Sequence, residues 1–183
     1  TLISDSSIFD YHQKRYESVL SSFGINKFLD LKTFIDPPSV GLYRCKLVYT
    51  LDNKFNITYY PYEKKIIQSL KIINADYIEY ALKYENRSDI TTLFDKRESC
   101  DDILIVKNGY ITDTSIANIA LYDGNSWITP KVPLLKGTTR QRYLDNAKIL
   151  ESDIKVQDLK KFSKIALLNA MIDFDIITNI SYT

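Results

Sequence analysis

The stretch DDILIVKNGYITDTSIANIALYDGNSWITP, from Asp101 to Pro130, carries two tight-turn signals, Asn108-Gly109 and Asp123-Gly124-Asn125. Asn-Gly and Asp-Gly tolerate the positive φ that short hairpin loops demand. Apolar residues flank both turns. The pattern predicts two consecutive hairpins, with strands over 103–106, 118–122 and 127–129 and a polar stretch between the hairpins. That stretch, TDTSIAN at 112–118, is crowded with hydroxyls where a plain sheet would repeat apolar residues. A carboxylate, Asp113, sits among them and asks for a purpose.

The rest of the chain mixes helices with strands. IFDYHQKRYESVLSSFGI reads as a helix capped by Asp10, with Tyr16, Val19, Leu20 and Phe23 on one face and Gly24 at its end. LDLKTFID predicts a short helix stopped by Pro37-Pro38. GLYRCKLVYT and FNITYYPY alternate around LDNK as a hairpin, and KKIIQSLKII is a β-branched strand. Beyond a boundary at 73–77, NRSDITTLFDKR and GTTRQRYLDNAKIL are helical. SDIKVQDLKKFSKIALLNAM reads as strand, short helix, strand. The expected organisation is an N-terminal α/β subdomain over 1–74 and a second over 75–183. Hairpins mixed with helices argue for an α+β (mixed α/β) fold, and no GxGxxG marks a dinucleotide site.

Composition narrows the partners. The 24 basic and 23 acidic residues nearly cancel, so no charge excess points to nucleic acid or an anionic membrane. No run approaches the ~20 apolar residues of a membrane span, and no leader peptide is expected. Two cysteines, Cys45 and Cys100, lack metal spacing and suit a reducing compartment, so a cytoplasmic location is expected. A single histidine, His12, cannot build a histidine metal cluster and leaves little room for a Ser-His or Cys-His pair.

PLLKGTTRQRYL has chemistry of its own. Gly137 lets backbone approach a ligand, and Thr138 and Thr139 put hydroxyls and main-chain N–H groups at a helix N-terminus. Taken alone, this reads first as a plain helix cap by Thr138 or Thr139, and Lys83 in ALKYENR as a surface lysine. The order of the pieces says more. A lysine followed by x-x-Asn-Arg, then an acid-x-x-x-x-Asn within a β-turn-β unit, then Pro-Leu-Leu-x-Gly-x-Thr-Arg opening a helix, resembles the class IV aminotransferases. These are pyridoxal-phosphate enzymes of fold type IV, including branched-chain and D-amino-acid aminotransferases and 4-amino-4-deoxychorismate lyases. DYHQKRYESVLSSFGI resembles the family's His-x-x-Arg helix, and ALLNAM its Asn-Ala strand end.

The resemblance implies roles. Lys83 would form the Schiff base with pyridoxal 5'-phosphate and move the substrate proton. Asp113 would face the ring nitrogen as its counter-ion, in place of the family's usual glutamate. Gly137, Thr138 and Thr139 would hold the phosphate with Arg15, and Asn169 and Ala170 would complete that site or border the substrate. Arg87 is read as a positioning residue. Thr1 is the nearest candidate for the lyases' proton-donating threonine, at a spacing too short to carry that role across. The shortness of the chain and its Asn-Ala-Met ending lean towards the lyase, which eliminates pyruvate to leave 4-aminobenzoate for folate synthesis. Two alternatives remain: an aminotransferase acting on branched-chain or D-amino acids, and a non-catalytic protein that kept the fold. The resemblance also implies a homodimer and a small-molecule amino substrate. The tyrosine-rich hairpin, with Tyr43, Tyr49, Tyr59, Tyr60 and Tyr62, suits sheet or interface packing, and Arg44 reads as a surface ion pair.

Overall fold

The computed structural model describes residues 6–177 and 180–183. The strand and proton-donor readings at Thr1 fall outside the described residues. Helices and sheets alternate as a mixed α/β chain, in two compact units, Thr1–Lys64 and Lys65–Thr183. The division falls ahead of the predicted boundary at 74. The strand before that boundary pairs along five residues with the strand Asp102–Lys107, and so joins the second unit.

In the first unit, helix α1 spans Ser6–Ser22. Asp10 does not cap it. The helix starts a turn earlier among the serines, and Asp10 sits inside it with Lys32 Nζ 3.4 Å away. Tyr16 and Leu20 are buried as predicted, whereas Phe23 is exposed beyond the last turn. Gly24 takes φ +77°, and the Ile25 N–H reaches back to the Leu20 carbonyl, which closes the helix end. A 3-10 turn at Leu31–Phe34 replaces the predicted second helix, with the Asp30 carboxylate accepting the Lys32 N–H. Strands β1 (Tyr43–Tyr49) and β2 (Phe55–Pro61) form the predicted antiparallel hairpin. Tyr49 and Phe55 pack with Tyr16 in an aromatic cluster, and the Arg44 guanidinium lies over the Tyr60 ring instead of serving only as a surface charge.

The second unit is built on one sheet of nine strands. β3 (Ser69–Asn74), β4 (Asp102–Lys107) and β5 (Tyr110–Thr114) are followed by β6 (Asn118–Tyr122) and β7 (Trp127–Pro130). β8 (Leu150–Ser152), β9 (Lys164–Asn169), β10 (Asp173–Ile177) and β11 (Ser181–Tyr182) complete it. The main path runs β10-β9-β6-β5-β4-β3-β11, with β7 pairing β6 and β8. The predicted hairpins are β4–β5 and β6–β7. Asn108 and Gly109 both take positive φ, but at the second turn only Gly124 does. Asp123 instead accepts the amides of Asn125 and Ser126 at 2.8 Å each, an Asx turn. β10 and β11 were not foreseen.

β4 reads as an unbroken apolar run because both its faces are buried. Leu104 packs with Leu70, Ile111, Ile119 and Leu167, while Ile103 and Ile105 point the other way to Ile78, Ile90, Leu93 and Leu134. Helix α2 (Ser88–Phe94) covers this second face through Ile90 and Leu93. Helix α3 (Thr138–Asp145) lies over Ala120 and Ala166, whose small side chains suit a close helix approach. No helix among the described residues is long and apolar enough to cross a membrane.

Candidate active site

Asp113 owes its direction to an irregularity in β5. Leu104 pairs with Thr114 and Val106 with Ile111, so β5 holds one residue more than β4 over that span. In a regular strand Asp113 would share the side of Ile111 and enter the Leu70–Leu104 core. The bulge turns it to the side of Ile105 and Leu134. Thr112 steadies the bulge, its hydroxyl donating to the Ile105 carbonyl at 2.8 Å.

The Asp113 carboxylate is only 5% exposed and is held from two directions. Asn118 Nδ2 donates to Oδ1 at 2.7 Å, and the Leu135 N–H donates to Oδ2 at 2.9 Å. Burial pushes the carboxyl up to about 7, against the pull of Asn118, the Leu135 amide and the nearby Arg140 charge. Asn118 Nδ2 also donates to the Leu135 carbonyl at 2.7 Å, so one amide side chain binds the acid to the loop before α3. A side chain at Gly137 would collide with Asn118 Oδ1. The sequence spacing acid-x-x-x-x-Asn and the later glycine therefore belong to one packed unit.

α3 begins without a side-chain cap, because Gly137 holds the N-cap position. Thr138 and Thr139, 9% and 6% exposed, open the helix. Their turn supplies N–H groups that an anion can take up, with the helix dipole in support. The helix is anchored by Arg140, 1% exposed, which donates to Thr129 Oγ1, the Pro130 carbonyl and Glu151 Oε1 at 3.2, 2.7 and 2.6 Å. Sequence reasoning saw Arg140 as part of a motif and missed its work as the bolt between α3, β7 and β8.

Lys83 lies in the irregular segment between β3 and α2 and is exposed. The residues that follow it dock that segment. Asn86 Oδ1 accepts the Ser88 N–H at 2.9 Å, and the Arg87 guanidinium donates to the Ser115 carbonyl. Arg87 thus ties the lysine segment to the connection that joins Asp113 to Asn118. Asn169 meets the same connection from β9: Nδ2 donates to the Ile116 carbonyl at 3.3 Å, while Oδ1 accepts the Met171 and Ile172 amides and shapes the turn that Ala170 begins. Six of the predicted residues, Asp113, Gly137, Thr138, Thr139, Asn169 and Ala170, stand on the sheet and the α3 entrance, with Lys83 on the segment docked beside them. Arg15 lies on α1 in the other unit, where its charge acts on Tyr49. Asp102, a buried acid in β4, went unremarked. An aspartate leading straight into a four-residue apolar run was the available signal.

Pyridoxal phosphate asks for an amine, an anion for its ring nitrogen and a phosphate cradle. The donor set fits. The uncapped α3 terminus suits a phosphate, and a carboxyl held near 7 by burial ionises when a cationic ring nitrogen lies beside it.

The chain belongs to the class IV aminotransferase family, which it matches over residues 46–180. Members of this family are pyridoxal-phosphate-dependent enzymes. The chain is 40% identical over 166 residues to an uncharacterized protein of Haemophilus influenzae, covering 87% of this chain and 88% of that one. It is similar to the crystal structure of a protein from Haemophilus somnus provisionally named 4-amino-4-deoxychorismate lyase. The TM-score there is 0.79 and the identity 34%, covering 90% of this chain and 89% of that chain. A hypothetical aminotransferase from Mycobacterium tuberculosis, in a form bound to pyridoxal phosphate, shares the fold at a TM-score of 0.56 and 14% identity, over 69% of this chain and 56% of that chain.

Proposed function

We propose that this chain is a pyridoxal-phosphate-dependent lyase acting on 4-amino-4-deoxychorismate, releasing pyruvate and 4-aminobenzoate. The observation that carries the reading is the unit formed by Asp113, Asn118, Leu135 and Gly137 at the uncapped start of α3. It pairs an anion with an anion-binding turn, as a zwitterionic cofactor requires. The likeness to the Haemophilus somnus protein over nine-tenths of both chains supports the lyase over an aminotransferase.

In this reading pyridoxal phosphate, when bound, would supply an electron sink for the substrate carbon that loses its proton. Lys83 would hold the cofactor through its amine and would carry the substrate proton. Asp113 stays ionised against the ring nitrogen, with Asn118 and the Leu135 amide fixing its orientation. The N–H groups and hydroxyls of Thr138 and Thr139 would hold the phosphate. Asn169 and Ala170 border the site from the end of β9. Formation of an aromatic product supplies much of the driving force, so the protein chiefly positions groups.

Reduction of the loaded protein with borohydride, followed by mass spectrometry, tests the cofactor and the lysine together. The expected adduct lies on Lys83, and Lys83→Ala abolishes both labelling and turnover. A label on another lysine, or none, would sink the proposal. Pyruvate release with equimolar 4-aminobenzoate marks the lyase, whereas accumulation of the amino form of the cofactor on adding an amino acid marks an aminotransferase.

A further inference from the structure

Asp102 opens β4 and is 1% exposed. Its Oδ1 accepts the Ile103 N–H at 2.8 Å, while its buried Oδ2 has no hydrogen-bond partner among the described residues. Burying a carboxyl so poorly satisfied is costly, which makes its presence informative. The register says where it looks. Leu104 pairs with Thr114, so Asp102, two residues earlier on the antiparallel partner, faces the point where β5 ends and the 115–117 connection begins. Ser115 and the Thr114 hydroxyl stand beside it, close enough to counter part of the upward push that burial gives its carboxyl, without closing a bond of ordinary geometry.

Ser115 is 6% exposed and its carbonyl is taken by Arg87. The connection it belongs to is a tight one. Thr114 Oγ1 accepts the Ile116 and Ala117 amides at 3.3 and 3.1 Å, and the Asp113–Asn118 pair closes its base. Two side chains thus address one serine, a buried carboxyl from β4 and a guanidinium from the lysine segment.

We propose that Asp102 is a positioning residue. It fixes Ser115 so that the serine carbonyl meets Arg87, and thereby holds the Lys83 segment to the connection between Asp113 and Asn118. The use of this positioning rests on the function proposed above; the grip on Ser115 does not. Removing the carboxyl frees Ser115 to turn, so that Arg87 loses an oriented acceptor and the segment before α2 loosens with the connection.

Hydrogen–deuterium exchange on the ligand-free protein reads this directly. Asp102→Ala is expected to speed exchange about tenfold in peptides spanning 114–118 and 84–91, with the β6–β9 ladder unchanged. Arg87→Gln is expected to give the same pattern, and the double variant no further change. Asp102→Asn keeps the shape and an acceptor, and is expected to exchange more slowly than Asp102→Ala in both segments. If Asp102→Ala does not fold, Ser115→Ala takes its place and is expected to loosen the same two segments. Unchanged exchange at 84–91 in the alanine variants, a uniform rise across the sheet, or equal rates for Asp102→Asn and Asp102→Ala would overturn the proposal. Absence of a borohydride label on Lys83 would overturn the cofactor reading and leave this result standing.

Discussion

Asp113 shows how one side chain can carry both a cost and a use. Its carboxyl is protonated at higher pH in the folded chain, about 7, than in an unfolded one, where the ordinary value is 3.8. The folded state therefore binds the extra proton between those values, and the group's contribution is fully present below about 4 and is lost as pH rises to about 7. Ligand-free protein is expected to lose stability over that interval, on the order of a few kcal/mol. Asp113→Asn is expected to flatten the dependence, which urea titrations at pH 4.5 and 7.5 measure. The same substitution is expected to leave cofactor bound while lowering the rate by orders of magnitude, since a neutral amide cannot hold a proton on the ring nitrogen. Unchanged turnover in Asp113→Asn would remove the acid from the mechanism.

At the scale of elements, the entrance of α3 closes tightly on the start of β6. Gly137 leaves room for Asn118 Oδ1, and Asn118 spans Asp113 and the Leu135 carbonyl. Gly137 has ordinary negative φ, so the requirement is for space rather than for unusual backbone. Gly137→Ala is expected to cost about 1–3 kcal/mol, the usual penalty for overpacking, and to weaken cofactor binding together with stability. Thermal melts with and without pyridoxal phosphate check it, and a variant that loses stability while keeping the full cofactor-induced shift would separate the contact from the site. The same element view explains Arg140. A fully buried guanidinium with a carbonyl, a hydroxyl and a carboxylate around it holds α3 to β7 and β8, so that the helix start is presented on a fixed scaffold.

At the scale of the molecule, the exposure of Lys83, with Tyr84 at 52% and Tyr77 at 67% in the same segment, leaves apolar surface beside the proposed site. The homodimer implied by the resemblance offers a cover for it. Sedimentation at micromolar concentration is expected to give a dimer, and Tyr84→Glu is expected to weaken both assembly and turnover. A monomer that turns over at full rate would count against this.

Much of the architecture is local in origin and could be read directly. Asn108-Gly109 makes a hairpin wherever apolar strands flank it, Gly24 ends α1, and the order Lys83, Asn86-Arg87, Asp113, Asn118, Gly137 and Thr138-Thr139 marks the family. The Asp10 cap failed because a helix start depends on which of several polar residues the packed face allows, and that face is set by contacts with Leu31 and the aromatic cluster. β10 and β11 escaped notice because edge strands form only when a neighbour offers unpaired backbone, β9 and β3 in this case. The bulge that turns Asp113 away from the Ile111 core, the Arg140 anchor and the burial of Asp102 at the start of β4 are further products of long-range contacts. A one-residue slip between β4 and β5 would send Asp113 to the wrong face, and nothing within either strand's own residues states that register.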